Sequence, residues 1–570
     1  MDVFGQAENA AIYYEREGFS TDGNRLLGRQ SAGESFLKGF VQHGDVDRLY
    51  CYTDHPGKFE AFKQQVRAWG ADCPPQTWIN PLTAGGLEQA GCLFYSGPGI
   101  GNFAWQRRHV GPNRYSLCGL THTISSMEVM QAFGDFAIAP VEPWDALICT
   151  SRSVRKTVTH VLEEWADYLE RRNGGEVRLP VQLPVIPLGI NCDDFGHPPD
   201  GERDSFVRSF RARHGIGEGD VVFLYVGRLS SHAKAHPLPL YQALEKAARR
   251  TDRNIHLVQA GWFASRAIED QFVKGAARFC PSVNCIFLDG RKPDIRKHIW
   301  HVADVFTSLS DNIQETFGIT PVEAMAAGLP VVVSDWDGYR ETVRDGVDGL
   351  LVPTSLPGAG HGRDLAYRYL VGVDGYDRFV GQVSLFTDVE TEAAANAYLS
   401  LIENPDLRRK MGSAGARRAR ETFDWKVIIR AYQDLWAELA SRRRAAADPS
   451  PKVYQVNPVP LMQDPFALFE NYPTHLLTAR TRIKGKPREE GRAADYLSSS
   501  LGNGVAHLLP KAEVLDKMLD HLRTAGVMSA GELGALYSLG ESKSVRIVGW
   551  LLKMGLVQRV DDGEPTAPDQ

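Results

Sequence analysis

Glu315-Thr-Phe-Gly-Ile-Thr-Pro-Val-Glu323, continued by Ala324-Met-Ala-Ala-Gly-Leu-Pro330-Val-Val-Val-Ser334, reads as a loop, then a short helix, then a buried strand. A carboxylate stands at each end of the loop–helix joint. Thr320-x-x-Glu323 has the form of a capping box, with Pro321 at the first helical position. Gly328 and Pro330 stop the helix after about two turns. The chain before Thr320 is thereby held against a helix N-terminus, where unpaired N–H groups and the positive dipole end attract an anion. A phosphate-bearing ligand suits that place.

Outward from this joint, short apolar runs alternate with helical stretches through about the first 440 residues, as in a parallel α/β architecture. Runs at 49–52, 92–96, 115–118 and 146–150 form one series; 221–226, 256–260, 285–288, 305–309 and 331–334 form a second. Between them lies the Pro/Gly/charged stretch 196–203, an interdomain linker by composition. The pattern predicts two Rossmann-like domains facing across a cleft, at 1–200 and 201–425, with ligands at the carboxyl ends of the strands. Residues 355–390 read as an insertion, shaping the cleft or making an oligomer contact.

The chain has 570 residues, 43% hydrophobic and 24% charged, with net charge −6. That is too long for one core and ordinary for soluble globular protein. No apolar run reaches the roughly 20 residues of a spanning helix. The acidic start, Met1-Asp-Val-Phe, lacks signal-peptide character. Eight scattered cysteines without a CxxC pair predict free thiols in a reducing compartment. The expected location is therefore the cytoplasm, with room for peripheral contact at the inner face of the membrane.

Glu-x7-Glu with Phe-Gly after the first Glu, followed by Pro-Val-Glu-Ala-Met-Ala-Ala-Gly-Leu-Pro-Val, resembles the retaining GT-B glycosyltransferases of family GT4. So do Ser334-Asp-Trp-Asp-Gly338-Tyr-Arg-Glu341, Asp345 to Pro353, Asp145 to Ser151, Val185 to Phe195, and Phe223-Leu-Tyr-Val-Gly-Arg228-Leu. The likeness runs from about Gly28 to about Leu439. It implies an α/β GT-B fold whose last helix, at 426–445, crosses back to the first domain. It also implies transfer of a sugar from a nucleoside diphosphate sugar to a saccharide or glycolipid acceptor, as in cell-envelope or exopolysaccharide synthesis.

Such transfer must neutralise a diphosphate, hold the sugar as charge develops at its anomeric carbon, and guide the acceptor oxygen. Cations and helix N-termini supply the first without a metal, so no cofactor is expected. Gly227, Arg228 and Lys234 form the expected clamp, in the run Arg-Leu-Ser-Ser-His-Ala-Lys-Ala-His236 where the family usually spaces the two cations one residue closer. The resemblance gives Glu315 the donor sugar hydroxyls and Glu323 the ribose, while closing the capping box remains the alternative for Glu323. Backbone amides of Phe317, Gly318, Ile319 and Thr320 are the expected anion contacts. His122, past a strand, would touch the donor sugar or position the acceptor. Gln30, Ser31 and Gly33 stand where the family has its first glycine loop, and Asp289 and Arg291 where its base-binding loop falls. Arg107, Arg108, His109 and Arg114 either bind an anionic acceptor or form a solvated basic face. Gly97-Pro-Gly-Ile-Gly-Asn102 mimics a dinucleotide fingerprint, but Pro98 and the lack of a following helical pattern argue against one. No first-domain carboxylate is placed as a nucleophile, which favours same-face attack.

After Arg444 the chain reads as an extended linker over 446–500, including the basic run 480–488. Residues 501–570 then read as a winged-helix-like domain: helices near 513–523, 529–537 and 541–553, then a strand at 556–560. Lys543, Arg546 and Lys553 dot its third helix. From Asp495 onward, however, 10 Asp/Glu against 7 Lys/Arg give a net −3 that disfavours nucleic acid. A protein-contact or self-association role, including a homo-oligomer, is favoured there. Two other readings stay open: a sugar-nucleotide-binding regulator using this domain for protein or DNA contact, and a GT-B epimerase or phosphorylase.

Overall fold

The computed structural model describes residues 8–20, 28–70, 73–196, 201–446, 459–460 and 462–560. Residues 197–200 of the first linker and 447–458 of the second lie outside them. The chain divides into two compact units, Met1–Val459 and Pro460–Gln570.

The first unit contains two six-stranded parallel sheets. One is built from β1 (Ala11–Tyr13), β2 (Leu49–Tyr52), β3 (Gln76–Ile79), β4 (Cys92–Tyr95), β5 (Ser116–Leu120) and β6 (Ala146–Ile148). The other is built from β7 (Val221–Val226), β8 (Ile255–Gly261), β9 (Asn284–Asp289), β10 (Val305–Ser308), β11 (Val331–Ser334) and β12 (Gly349–Val352). Their orders, β3-β2-β1-β4-β5-β6 and β9-β8-β7-β10-β11-β12, are the same Rossmann order in two copies. The central strands are apolar along their whole length because helices cover both faces. All eight cysteines are free thiols, six of them buried.

The helix Trp425–Ala445 follows the second sheet but packs against the first. Its buried residues include Trp425, Ile428, Ile429, Tyr432, Trp436 and Leu439, an i, i+3, i+4, i+7 stripe. Trp425 Nε1 donates to Ser35 Oγ at 2.6 Å, and Arg443 donates to Gly91 O and, at 2.6 Å, to Ser116 Oγ.

The insertion leaves through β13 (Thr354–Ser355), forms the helices Arg363–Leu370 and Tyr376–Leu385, and returns through β14 (Asp388–Val389). Tyr376 Oη meets Ser125 Oγ at 2.8 Å and Thr123 Oγ1 at 3.2 Å, while Met127 N donates to Tyr369 Oη at 3.2 Å. The insertion therefore reaches from the second lobe to the loop of the first that follows His122.

The second unit centres on a three-stranded antiparallel sheet, ordered β16 (Val527–Ser529), β15 (Arg482–Gly485), β17 (Val557–Arg559). The helices Ala512–Ala525, Ala530–Leu536 and Glu541–Lys553 pack on one side through Leu515, Leu519, Leu533, Ile547 and Leu551. Ser529 and Glu532 form a reciprocal capping box. The basic run 480–488 is thus no linker. Its alternation, Arg482 out, Ile483 in, Lys484 out, makes it the central strand.

Candidate functional site

The end of β7 turns sharply at Gly227, whose amide donates to Ala260 O at 3.1 Å, and presents Arg228 at the carboxyl edge of the sheet. Arg228 Nη2 is held by Ala233 O at 3.1 Å. Three side chains from the segment after β10 then staple the loop carrying Lys234. Ser310 Oγ donates to Lys234 O at 3.2 Å, Asp311 Oδ1 accepts from His236 N at 3.1 Å, and Asn312 Nδ2 donates to His232 O at 2.7 Å. Lys234 Nζ meets Glu315 Oε2 at 2.5 Å, with Lys234 27% and Glu315 10% exposed. A pair so far out of solvent is screened little by salt.

Asp311 is 1% exposed. Burial pushes its carboxyl up to about 7, against the His236 amide and the Ser384 hydroxyl, which favour the ionised form. A carboxyl with a raised folded pKa binds its proton more tightly folded than unfolded. Its stabilising share is full below the unfolded value of about 3.9 and is lost as pH rises through about 7. Asp311→Asn keeps the oxygen that accepts from His236 but does not titrate. Between about pH 4 and 8, the variant's urea midpoint is expected to fall less with pH than that of the wild type. Parallel profiles for the two proteins would contradict this.

The helix expected after Glu315 spans Ile319–Ala326, with Gly318 at its N-cap and φ +84° there. Thr320 and Glu323 therefore form no capping box, and Pro321 is the third helical residue rather than the first. The reason is steric. A Cβ on Gly318 would lie 1.9 Å from Tyr339 Cε1, and Tyr339 is fully buried with its hydroxyl 2.9 Å from Ser308 Oγ. Only glycine fits there, and it sets the N-cap two residues ahead of Thr320. Phe317 points into the core against Phe423, leaving its main chain for the cleft. Glu323, freed from capping, lies where burial pushes its carboxyl up to about 7 in spite of Arg296 and Lys234.

The first lobe meets this loop directly. Thr316 Oγ1 donates to His122 O, and Thr150 Oγ1 donates to Thr316 O at 3.4 Å. Beside them Ser151 Oγ donates to Asp337 Oδ1 at 3.1 Å, and Arg152 N donates to Glu341 Oε1 at 2.6 Å. Both carboxylates thus sit at the N-terminus of the 22-residue helix Arg152–Asn173. Asp337 is a non-glycine residue at φ +41°, and burial, then the charge of Glu315, raises its carboxyl to about 7. His122, Arg228, Lys234, Glu315 and Glu323 accordingly gather around facing carboxyl edges of the two sheets.

The remaining expected residues do not join that cluster, although Asp289 and Arg291 stand at the carboxyl edge of the same sheet as Arg228. Asp289 and Arg291, at the carboxyl end of β9, pair with each other through two 2.9 Å contacts, and this pairing holds the Asp289 carboxyl below its usual range. Arg291 also lies 5.9 Å from the Trp262 ring. Gln30, Ser31 and Gly33 lie within the first turns of the helix Gly28–His43, not on a glycine loop. A Cβ on Gly33 would come 2.1 Å from Gly18 O, so close packing against that carbonyl requires glycine here.

The acceptor assignment of Arg107, Arg108, His109 and Arg114 is corrected. The run 97–100 does lead into a helix, Gly101–Arg107, which returns the chain to the amino end of β5. His122 lies past the carboxyl end of that five-residue strand, roughly 16 Å away at 3.3 Å per residue. Arg107 is fully buried, pairing with Asp145 through two 2.6 Å contacts. The Arg108 guanidinium lies 5.6 Å from the Trp105 ring, Arg114 pairs with Glu88 at 3.7 Å, and His109 is exposed.

Sequence reasoning does not single out the staples Ser310, Asp311 and Asn312, the interlobe pair Ser151–Asp337 or the insertion tyrosines. A run of polar residues between β10 and Glu315 is the available signal for the first three.

Residues 206–359, within the second lobe, match the family Glycosyl transferases group 1. The D-inositol 3-phosphate glycosyltransferase of Geodermatophilus obscurus is 31% identical over 284 residues, 47% of this chain and 50% of that protein. The phosphatidyl-myo-inositol mannosyltransferase of Mycobacterium tuberculosis is 29% identical over 256 residues, 44% of this chain and 53% of that protein. The chain spans about half the length of these curated relatives. Among solved structures, the N-terminal domain of Candida albicans trehalose-6-phosphate phosphatase has a TM-score of 0.50 at 10% identity, over 77% of this chain and 98% of that one. At that identity the likeness concerns fold alone. The first unit has the GT-B architecture, two Rossmann-like lobes facing across a cleft.

Proposed function

We infer that the first unit is a retaining glycosyltransferase that moves a hexose-type unit from a nucleoside diphosphate sugar to a saccharide or glycolipid acceptor. One observation carries this reading: the Lys234–Glu315 pair, 2.5 Å long and largely buried, beside Arg228 and the amides that open the helix Ile319–Ala326. The match of residues 206–359 to the family Glycosyl transferases group 1 and the names of the curated relatives support it.

In this reading Arg228, Lys234 and the amides from Phe317 to Thr320 take the diphosphate, and no metal is invoked. Glu315 accepts from sugar hydroxyls as positive charge develops at the anomeric carbon. Glu323 faces the ribose, and Asp289 and Arg291 flank the base. His122 lies on the first-lobe side, where the acceptor enters over the insertion. Closure of the lobes excludes water and favours transfer over hydrolysis. Attack from the face of the departing diphosphate accounts for retention. We place the reaction in the cytoplasm, within cell-envelope or exopolysaccharide synthesis.

Thermal unfolding against a panel of UDP-, GDP- and ADP-sugars tests the donor. One of them at 100 times its Kd should stabilise the protein by about 2.7 kcal/mol. A panel in which no nucleotide sugar raises the melting temperature would remove the basis of the assignment.

A further inference from the structure

The second unit bears an exposed apolar stretch. Met462, Phe466, Leu468, Phe469, Tyr472 and Leu476 are each between 45% and 79% exposed, within one stretch of 15 residues. The Phe469 and Tyr472 rings lie 5.1 Å apart, so the apolar side chains cluster while remaining in water. An exposed apolar cluster of this kind marks a contact surface for protein or membrane.

The charge beside it selects between the two. A tight turn at 478–481, in which Arg480 is exposed, leads from the apolar stretch into β15. Leu477 lies across the helix Glu541–Lys553, since a Cβ on Gly549 would touch its Cδ1 at 3.4 Å. Arg546 and Lys553, one turn before and after Gly549, share that helix face and are exposed. The acidic groups within the apolar stretch are Asp464, occupied in capping the helix Pro465–Leu468, and Glu470. Arg480, Arg546 and Lys553 therefore stand around the point where the apolar stretch joins the folded unit. Because Leu477 covers the middle of this helix face, the face is not bare for a nucleic-acid groove.

We propose that this face docks on an anionic lipid bilayer. Aromatic and aliphatic side chains of 462–476 enter the interfacial region, while Arg480, Arg546 and Lys553 meet lipid phosphates. Apolar insertion combined with a cationic patch is the pairing that gives stable peripheral anchoring where either alone is weak. The proposal is independent of the glycosyl-transfer reading.

Flotation of the full chain with vesicles tests it, using phosphatidylcholine alone or with about one third phosphatidylglycerol. Partitioning is expected to be about tenfold higher on the anionic vesicles at about 0.1 M salt, and to fall about tenfold at 1 M, where the Debye length shrinks to about 3 Å. Phe466→Ser with Phe469→Ser should cut binding to anionic vesicles about tenfold. Arg546→Gln with Lys553→Gln should weaken the preference for anionic over neutral vesicles. All four substitutions are at exposed positions, and unchanged melting temperatures would confirm intact folding. Equal partitioning on both vesicle types, or none, overturns the proposal. So does concentration-dependent dimerisation abolished by the two serines, which would make the face a contact between copies of this chain.

Discussion

Glu315→Gln is expected to lower sugar transfer about 10²–10³-fold, the size typical of losing one group that acts on transition-state charge. The substitution keeps the shape of the side chain and removes its charge. Lys234, 2.5 Å from Glu315 Oε2, then lacks its acidic partner in the free enzyme. A diphosphate can still satisfy that lysine, so donor binding should change less than turnover, and kcat should fall more than KM rises. Lys234→Ala should weaken donor binding and turnover together. The double variant should lose less than the product of the two single effects, because both act on one contact. Glu315 lies in a loop at the cleft rather than in the core, so the melting temperature should move by only a few degrees. Wild-type turnover in Glu315→Gln would remove this residue from the chemistry.

Arg107→Met is expected to have the largest effect on stability. Arg107 and Asp145 are both fully buried, and Asp145 also accepts from Leu117 N at 2.9 Å and Glu142 N at 2.8 Å. Removing the guanidinium leaves a carboxylate charged inside the first lobe, a loss of about 3–5 kcal/mol. Replacing both partners by apolar residues of similar volume should recover much of that loss, since no charge is then stranded. Urea unfolding reads both effects. A full-stability Arg107→Met protein with selectively raised KM for an anionic acceptor would restore the binding role that burial argues against.

The same side chain shows where sequence reading stops. Arg107, Arg108, His109 and Arg114 look alike as a basic run. Their separation depends on the helix Gly101–Arg107 bringing the chain back to the amino end of β5, away from His122. The expected capping box at Thr320 and Glu323 fails for a related reason. Tyr339 occupies the space beside Gly318 and sets the helix start. It lies 21 residues after Gly318, too far for any local pattern to reveal the contact.

By itself the sequence determined two parallel-sheet lobes and nine of their twelve strands, missing β1, β3 and β12, together with the turn carrying Arg228 and the acidic pair Glu315 and Glu323. Periodicity, glycine placement and short motifs are local, and they survive being read along a line. Tertiary structure alone decided which cation is buried and which faces the cleft, that Ser310, Asp311 and Asn312 hold the Lys234 loop, and that the run 480–488 contains a central strand at 482–485. Each of these rests on contacts between residues far apart in the chain. Burial and charge pairing at such sites depend on what the folded chain brings alongside, and that is set only when the layers close.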